Sequence, residues 1–407
     1  MALNEKQREA FEKILTGKNV FLTGKAGSGK SYLIKRIIEH YKMNGLKLGV
    51  SATTGISALQ IKGRTVHSLL GLGLGNKSAI YLFTRNRRKF PKLIKGIRAM
   101  STLIIDEISM MSAEFLMTIS EYLVLVRGAN APFGGLQIIF CGDFCQLSPV
   151  SGDYCFKARI WGDANIEMVE LTESMRQNDE YFRKILDELR FGVCSDETFS
   201  MLRNLKDTKF PDGIEPTVLY ARNADVDMLN TSKLVNLMNI GVYTRTYKVK
   251  ASDDELSKAW MESLRIDDEI MLCEGCQVML TVNLNVEAGL VNGSRGVVCE
   301  VLDEIVRVKF ISGKVEDISY YVLKDEIDEN LTVAYIPLRL GYALSVHKSQ
   351  GVTVDALCID LGASIFACGQ GYTGLSRARN LESVRVMNIS KAAFKVSPSV
   401  LDFYKKV

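Results

Sequence analysis

Short runs of consecutive apolar residues alternate along this chain with longer stretches in which apolar positions recur at helical spacing. The runs at Asn19–Thr23, Leu48–Ala52, Leu103–Asp106 and Gln137–Cys141 are too short for helices and are framed by glycine, serine and charged residues, so they predict buried strands. Tyr32–Tyr41 predicts a helix directly after the first of them. The alternation restarts at Thr217–Ala221 and returns near Tyr342–Val346 and Ser383–Asn388. Buried strands joined by helical crossovers form parallel sheets, and two such sets predict two α/β domains. Between them, Tyr181, Phe182, Ile185, Leu186 and Leu189 recur at helical spacing and predict a helix over Glu180–Phe191.

Two stretches break the alternation. Residues 76–98 carry Lys77, Arg85, Arg87, Arg88, Lys89, Lys92, Lys95 and Arg98 without an acidic residue, yet retain Ile80, Tyr81, Leu82 and Phe83. They predict a small basic insertion in the first α/β domain. From about Cys273 to Leu323 short β-rich runs (Gln277–Leu280, Gly296–Cys299, Ile305–Phe310) are punctuated by Asn292-Gly293 and Ser312-Gly313 turns. That pattern predicts a compact antiparallel β module, a small barrel. No internal repeat or low-complexity segment is visible.

Composition narrows the class. A chain of 407 residues with 47% hydrophobic and 24% charged residues is long enough for several buried cores and too apolar to be mostly disordered. The net charge of +4 means that any polyanion site must come from local clustering of cations, not from bulk charge. No apolar run approaches the ~18 residues of a membrane span, and residues 1–18 mix Glu, Lys and Gln, unlike a signal or transit peptide. Nine scattered cysteines fit a reducing compartment. A soluble intracellular protein, nuclear or cytoplasmic according to the host, is expected. Cys273-Glu-Gly-Cys276 is a single C-x-x-C with no partner pair, and no cluster has metal-ligand spacing, so a zinc site is not expected.

The clearest chemistry lies after the first strand. Gly24-Lys-Ala-Gly27-Ser28-Gly29-Lys30-Ser31 fits G-x-x-x-x-G-K-[ST] with a strand before it and a helix after it. Glycines let the backbone curl so that its N–H groups surround phosphate oxygens. Lys30 would meet the β- and γ-phosphates and Ser31 would offer a hydroxyl to Mg²⁺. The other half of a nucleotide site is an acidic pair at a strand end, which Asp106-Glu107 supplies: Asp106 for Mg²⁺ through water, Glu107 to orient and deprotonate the attacking water. The reading is an ATP- and Mg²⁺-dependent NTPase. Gln146, in the loop after the strand Gln137–Cys141, would bring a neutral amide to the γ-phosphate. Gln7 has an amide suited to an adenine edge, although a helix-surface glutamine explains it equally well. For Arg176 and Arg377 the residues alone leave a surface or ion-pair role open.

These motifs, in this order, make the chain resemble a superfamily 1B DNA helicase of the Pif (petite integration frequency) type, a relative of RecD. Leu3–Gln7 begins the resemblance and Gln370-Gly-Tyr-Thr-Gly-Leu-Ser-Arg377 nearly ends it. Between them lie Ser51–Ala58 with Gly63–Ser68, then Pro132-Phe-Gly-Gly-Leu-Gln137 leading into Gly142-Asp-Phe-Cys-Gln-Leu. Gly275–Leu280 with Val291–Gly296 and Ser345-Val-His-Lys-Ser-Gln-Gly351 follow. The resemblance implies two RecA-like parallel-sheet domains forming an ATP cleft: 1A at 1–75 and 99–178, and 2A at 179–271 and 324–407. It further implies a 1B wedge at 76–98 and an SH3-like 2B module at 272–323. Lys30, Glu107, Gln146, Arg176 and Arg377 would be catalytic. Gln7, the loop residues Gly24, Gly27, Ser28, Gly29, Lys30 and Ser31, Asp106, Gln350 and Gly351 would bind nucleotide. Where alanine is more usual, Gly371 and Gly374 are expected to loosen the segment that carries Arg377.

Binding to single strands without sequence preference needs cations and hydroxyls for phosphates. Thr53, Thr54, Thr65 and His67 in the first domain and His347, Lys348 and Ser349 in the second match the resemblance's DNA track. Arg87, Arg88 and Lys89 would touch the duplex or the displaced strand. The implied activity is ATP-driven 5′-to-3′ movement on single-stranded DNA with unwinding of duplex at the junction, by a monomer. Replication, repair and recombination are the processes such helicases serve. A translocase acting on RNA, or one that does not separate strands, remains the alternative.

Overall fold

A computed structural model describes residues 3–405 apart from 74, 174–178, 211–214, 252–256, 258–260, 262–265, 286 and 325–331. The chain folds into two units. One takes in the described residues up to 173 and returns for 397–405; the other takes in those between 179 and 396.

The first unit is built on six parallel strands: β1 (Val20–Gly24), β2 (Leu48–Ala52), β3 (Arg64–Thr65), β4 (Thr102–Asp106), β5 (Gln137–Cys141) and β6 (Glu167–Leu171), in the spatial order β3-β2-β4-β5-β1-β6. β1 and β4 are buried along their whole length, which is why they read as unbroken apolar runs. Their side chains (Val20, Leu22, Ile104) join Leu33, Ile34 and Ile37 of the helix Lys30–Met43 in one core. The Glu-Met-Val-Glu-Leu of β6, partly buried at the sheet edge, carries no such signal, and the apolar pattern does not predict it.

The basic insertion is helical. Ala79–Lys89 and Pro91–Ala99, the second opened by proline at its first turn, pack on the helix Ala113–Arg127 and bury Leu82, Leu93, Ile94 and Ile97. The fully buried Asn86 amide donates to Gly71 O (2.9 Å) and to Tyr122 Oη (3.0 Å), and burial pushes the Tyr122 phenol up to about 12. Arg87, Arg88 and Lys89 stay exposed in the last helical turn, where cations suit the carbonyl end.

Residues 397–405, expected with the second domain, pack in the first unit instead. The helix Pro398–Lys405 places Phe403 among Phe21, Phe144, Phe156 and Trp161, with ring centroids 4.5 Å from Phe156 and 5.3 Å from Phe144. An aromatic face of this size gains far more from that cluster than from solvent.

In the second unit β7 (Thr217–Tyr220) begins a parallel sheet that is then interrupted. β8 (Thr244–Lys248), β9 (Lys250–Ala251), β10 (Glu269–Cys273), β11 (Gln277–Leu280), β12 (Arg295–Val301), β13 (Ile305–Phe310), β14 (Val315–Ser319), β15 (Tyr321–Lys324), β16 (Thr332–Tyr335) and β17 (Leu338–Leu340) intervene. β18 (Ala343–Ser345), β19 (Leu357–Leu361) and β20 (Val384–Ile389) then complete the order β18-β7-β19-β20. The interruption is the antiparallel module, its main sheet ordered β14-β13-β12-β11-β17 around Val278, Val298, Val306, Val308 and Phe310. Its expected end at 323 falls short, because β17 pairs with β11 and closes the sheet. Gly293 (φ +96°) approaches the Thr353 backbone so closely that a Cβ would lie 2.6 Å from its oxygen, and buried Arg295 pairs with Asp355 at 2.6 Å. These contacts moor the module to the segment after β18. Among the described residues no helix is long and apolar enough to cross a membrane.

Candidate functional site

β1 ends in a loop that only glycine can build at three points. Gly24, Gly27 and Gly29 have φ of +143°, +78° and +85°, and a Cβ on Gly24 would lie 2.4 Å from Leu171 O. The helix Lys30–Met43 then starts with Gly29 as its cap, with no acidic residue in its first turn and no side-chain cap on its N-terminal N–H groups. Those N–H groups and the positive end of the helix dipole suit an anion. Lys30 Nζ folds over the loop, donating to Gly24 O (2.6 Å) and Lys25 O (3.0 Å). Buried Ser28 Oγ has no hydrogen-bond partner, while Ser31 is exposed.

Because β5 lies between β1 and β4, three strand ends bring the phosphate loop, the loop with Gln146 and the acidic pair to one edge of the sheet. Asp106 is 6% exposed. Burial raises its carboxyl above the ordinary range, against the opposing pull of the Cys141 thiol, the Glu107 N–H (2.8 Å) and the nearby Lys30 charge. Burial also drives the Cys141 thiol well up, so it stays a neutral donor. Glu107 adopts a left-handed backbone (φ 54°, ψ 42°), a conformation that costs a non-glycine residue about 1–2 kcal/mol. Thr53 braces that bend: its N–H donates to Asp106 O (3.0 Å) and its hydroxyl to Glu107 O (2.7 Å). Gln146, 4% exposed, is set by a tight turn in which its N–H donates to Asp143 O (2.9 Å) and Cys145 N–H donates to Asp143 Oδ1 (3.2 Å).

Gln7 is buried, not a surface glutamine. It forms a capping box with Asn4: Asn4 N–H donates to its Oε1 (3.1 Å), and its own N–H donates to Asn4 Oδ1 (2.8 Å). Its Nε2 has no hydrogen-bond partner, so the side chain is fixed with its donors unused.

The expected DNA residues of the first unit have local duties. Thr54 and Thr65 cap short helices by accepting from Ser57 N–H and Ser68 N–H. His67 stacks on Phe115, ring centroids 4.5 Å apart and planes at 15°. In the second unit, His347 and Lys348 lie half-buried in the turn after β18, while Ser349 is turned inward, donating its hydroxyl to Val346 O (2.8 Å). Gln350 is fully buried beside Gly351 at φ +75°. Arg377 is buried, its guanidinium donating to Thr373 O (2.8 Å) and Ser376 Oγ (2.7 Å). The expected looseness around it is not found. A Cβ on Gly371 would lie 2.4 Å from Ala393 O, and one on Gly374 2.6 Å from Ile359 Cδ1, so both glycines permit close packing. Arg176 lies outside the described residues. No cluster of three or more metal-ligating side chains occurs among the described residues.

Sequence reasoning missed Thr53 as a brace of the acidic pair and Cys141 as a donor to Asp106. Both sit inside recognisable motifs, but their partners lie on neighbouring strands.

Known proteins match this architecture. The family described as PIF1-like helicase matches residues 2–198, and the 2B domain of the DNA helicase Pif1 matches residues 267–301. The chain is 37% identical over its whole length to the ATP-dependent DNA helicase PIF1 of Xenopus laevis, of which it spans 64%, just under two thirds. It is 31% identical to the ATP-dependent DNA helicase Pif1 of Bdellovibrio bacteriovorus, covering 99% of this chain and 92% of that one. The crystal structure of the Bacteroides Pif1 helicase in complex with ADP-AlF3 and single-stranded DNA superposes with a TM-score of 0.72. It is 30% identical and covers 100% of this chain and 97% of that one.

Proposed function

The chain belongs to the PIF1-like helicase family, and from that premise we propose that it is an ATP-dependent DNA helicase moving 5′-to-3′ on single-stranded DNA. The carrying observation is the single sheet edge that presents the glycine loop with Lys30, the buried Asp106 and the strained Glu107. It is supported by relatives described as ATP-dependent DNA helicases and by a related structure holding ADP-AlF3 with single-stranded DNA.

In this reading Lys30 exchanges the carbonyls of Gly24 and Lys25 for the β- and γ-phosphates. The loop N–H groups hold the phosphate oxygens, and the idle Nε2 of Gln7 meets adenine. Asp106, through water, and the Ser31 hydroxyl are hard oxygen donors that would hold Mg²⁺. A raised Asp106 carboxyl fits too, since a cation there would favour its charged form. When bound, Mg²⁺ supplies charge neutralisation at the phosphates. Glu107 aligns water and takes its proton, and Gln146 reads the γ-phosphate. Arg176 and Arg377 stabilise the charge spread over the transferring group, with Gln350 and Gly351 assisting at the nucleotide. Thr53, Thr54, Thr65, His67, His347, Lys348 and Ser349 line the DNA track, with Thr54, Thr65 and Ser349 acting chiefly by shaping the backbone. Arg87, Arg88 and Lys89 meet the junction between single and double strands. The protein acts as a monomer.

The test is strand separation of partial duplexes bearing a 5′ or a 3′ single-stranded tail, in DNA and in RNA, with and without Mg·ATP. ATP-dependent separation of the 5′-tailed DNA is expected. Glu107→Gln should retain ATP binding while turnover falls about 10²–10⁴-fold. ATP hydrolysis without separation of any duplex would replace the helicase with a translocase, and undiminished hydrolysis by the glutamine variant would remove Glu107 as the base.

A further inference from the structure

Outside every motif described above, one hydroxyl ties together the roots of two of the site's loops. Tyr404, on the helix Pro398–Lys405, places its Oη 2.8 Å from Thr23 Oγ1, and Thr23 is the fully buried residue immediately before Gly24. The same Oη accepts from Phe144 N–H (3.2 Å) and lies 3.2 Å from Asp143 Oδ1. One assignment satisfies all three contacts: Thr23 O–H and Phe144 N–H donate to the phenol oxygen, and the phenol O–H donates to the Asp143 carboxylate. Asp143 in turn accepts from Cys145 N–H through Oδ1 (3.2 Å) and from Gln146 N–H through its carbonyl (2.9 Å), so it fixes the turn that presents Gln146. The ring of the neighbouring Phe403 is pinned in the aromatic cluster, which removes rotamer freedom from the helix that carries the phenol.

We propose that Tyr404 is a positioning residue of the nucleotide site. It locks the end of β1 and the Asp143 turn into one unit, so that Gln146 and the phosphate loop keep a fixed spacing. This deepens the ATPase reading and rests on it. If Gln146 distinguishes triphosphate from diphosphate, that discrimination depends on the lock. Without the phenol, Phe144 N–H loses its acceptor and Asp143 Oδ1 loses its side-chain link to Thr23, while the backbone bond from Gly142 N–H to Leu22 O remains.

The test compares Tyr404→Phe with Tyr41→Phe. Tyr41 is a buried tyrosine of the same unit whose hydroxyl donates to Gln137 Oε1 (3.0 Å) at the opposite strand ends, so it controls for loss of one buried hydroxyl. For each variant one measures Tm, ATPase kcat and KM, and the affinity ratio between a non-hydrolysable ATP analogue and ADP. Both variants should lose similar Tm. Only Tyr404→Phe should lower the affinity ratio and kcat, by about three- to tenfold, the range of one hydrogen-bonded lock. Asp143→Ala should reproduce that effect, and the double variant should be no worse than the worse single one. An unchanged ratio in Tyr404→Phe, an equal change in Tyr41→Phe, or additive losses in the double variant would each overturn the proposal. A wild-type protein that hydrolyses no ATP would instead sink the ATPase reading itself.

Discussion

The two parallel sheets hold their charged groups in different ways. At the edge of the first, groups are held ready at a cost: Asp106 is a buried carboxylate titrating above its ordinary range, Glu107 sits in a left-handed bend, and Ser28 Oγ and Gln7 Nε2 are buried without hydrogen-bond partners. At the edge of the second, the principal cation is already satisfied, since Arg377 is buried with its guanidinium bonded to Thr373 O and Ser376 Oγ. The first edge stores strain that a ligand can relieve. The second keeps its charge inside its own fold until it is used. Substituting at the first edge should therefore remove activity while stabilising the protein, and substituting at the second should remove both.

The largest expected effect is at Arg377. Arg377→Ala should lower DNA-stimulated ATP turnover by about 10³–10⁵-fold and lower Tm as well, because the side chain is part of the packing. Arg377→Lys keeps the charge but not the planar fork, and should recover little turnover. A variant that loses turnover with Tm intact would break the contrast.

Next is Asp106→Asn, measured as Tm against pH without nucleotide. The unfolded carboxyl titrates near the ordinary 3.8, whereas burial holds the folded one higher. The folded state therefore binds more protons between those two values, and the wild type loses stability through that window as pH rises. The variant lacks this loss, so its Tm should exceed wild type at neutral pH and converge with it in acid. Turnover should nevertheless disappear. A variant less stable than wild type at pH 7 would show that the carboxylate is well compensated and the edge unstrained.

The smallest effect sharpens the contrast by lying outside both edges. Replacing exposed Arg87, Arg88 and Lys89 with glutamine should leave Tm nearly unchanged, as surface substitutions do. It should flatten the salt dependence of DNA affinity by roughly 0.7–0.9 log unit for each phosphate that is no longer neutralised. An unchanged salt slope would confine these cations to a solvated face.

Much of the first edge was legible because its chemistry is local. The glycine loop, Lys30 and the Asp106-Glu107 pair are contiguous in sequence, and the buried parallel strands that carry them are unbroken apolar runs. The illegible parts depend on distant partners. Gln7 reads equally well as an adenine reader or a surface glutamine until its capping box with Asn4 is seen to bury it. Gly371 and Gly374 read as flexible until Ala393 and Ile359 are found pressed against them. β6 and β17 are short strands interrupted by charged residues that pairing, not composition, brings into their sheets. Tyr404 meets Thr23 and Asp143 across most of the chain, and no local pattern announces such a meeting.

The return of residues 397–405 to the first unit has a consequence for biosynthesis. The ribosome makes the phosphate loop early and the helix bearing Phe403 and Tyr404 only after the whole second unit has been translated. Until then Phe21, Phe144 and Phe156 lack the ring that completes their cluster. A nascent or prematurely terminated chain thus exposes an unfinished aromatic face that chaperones and proteases recognise, and translation order itself withholds a finished nucleotide unit from any chain without its second half.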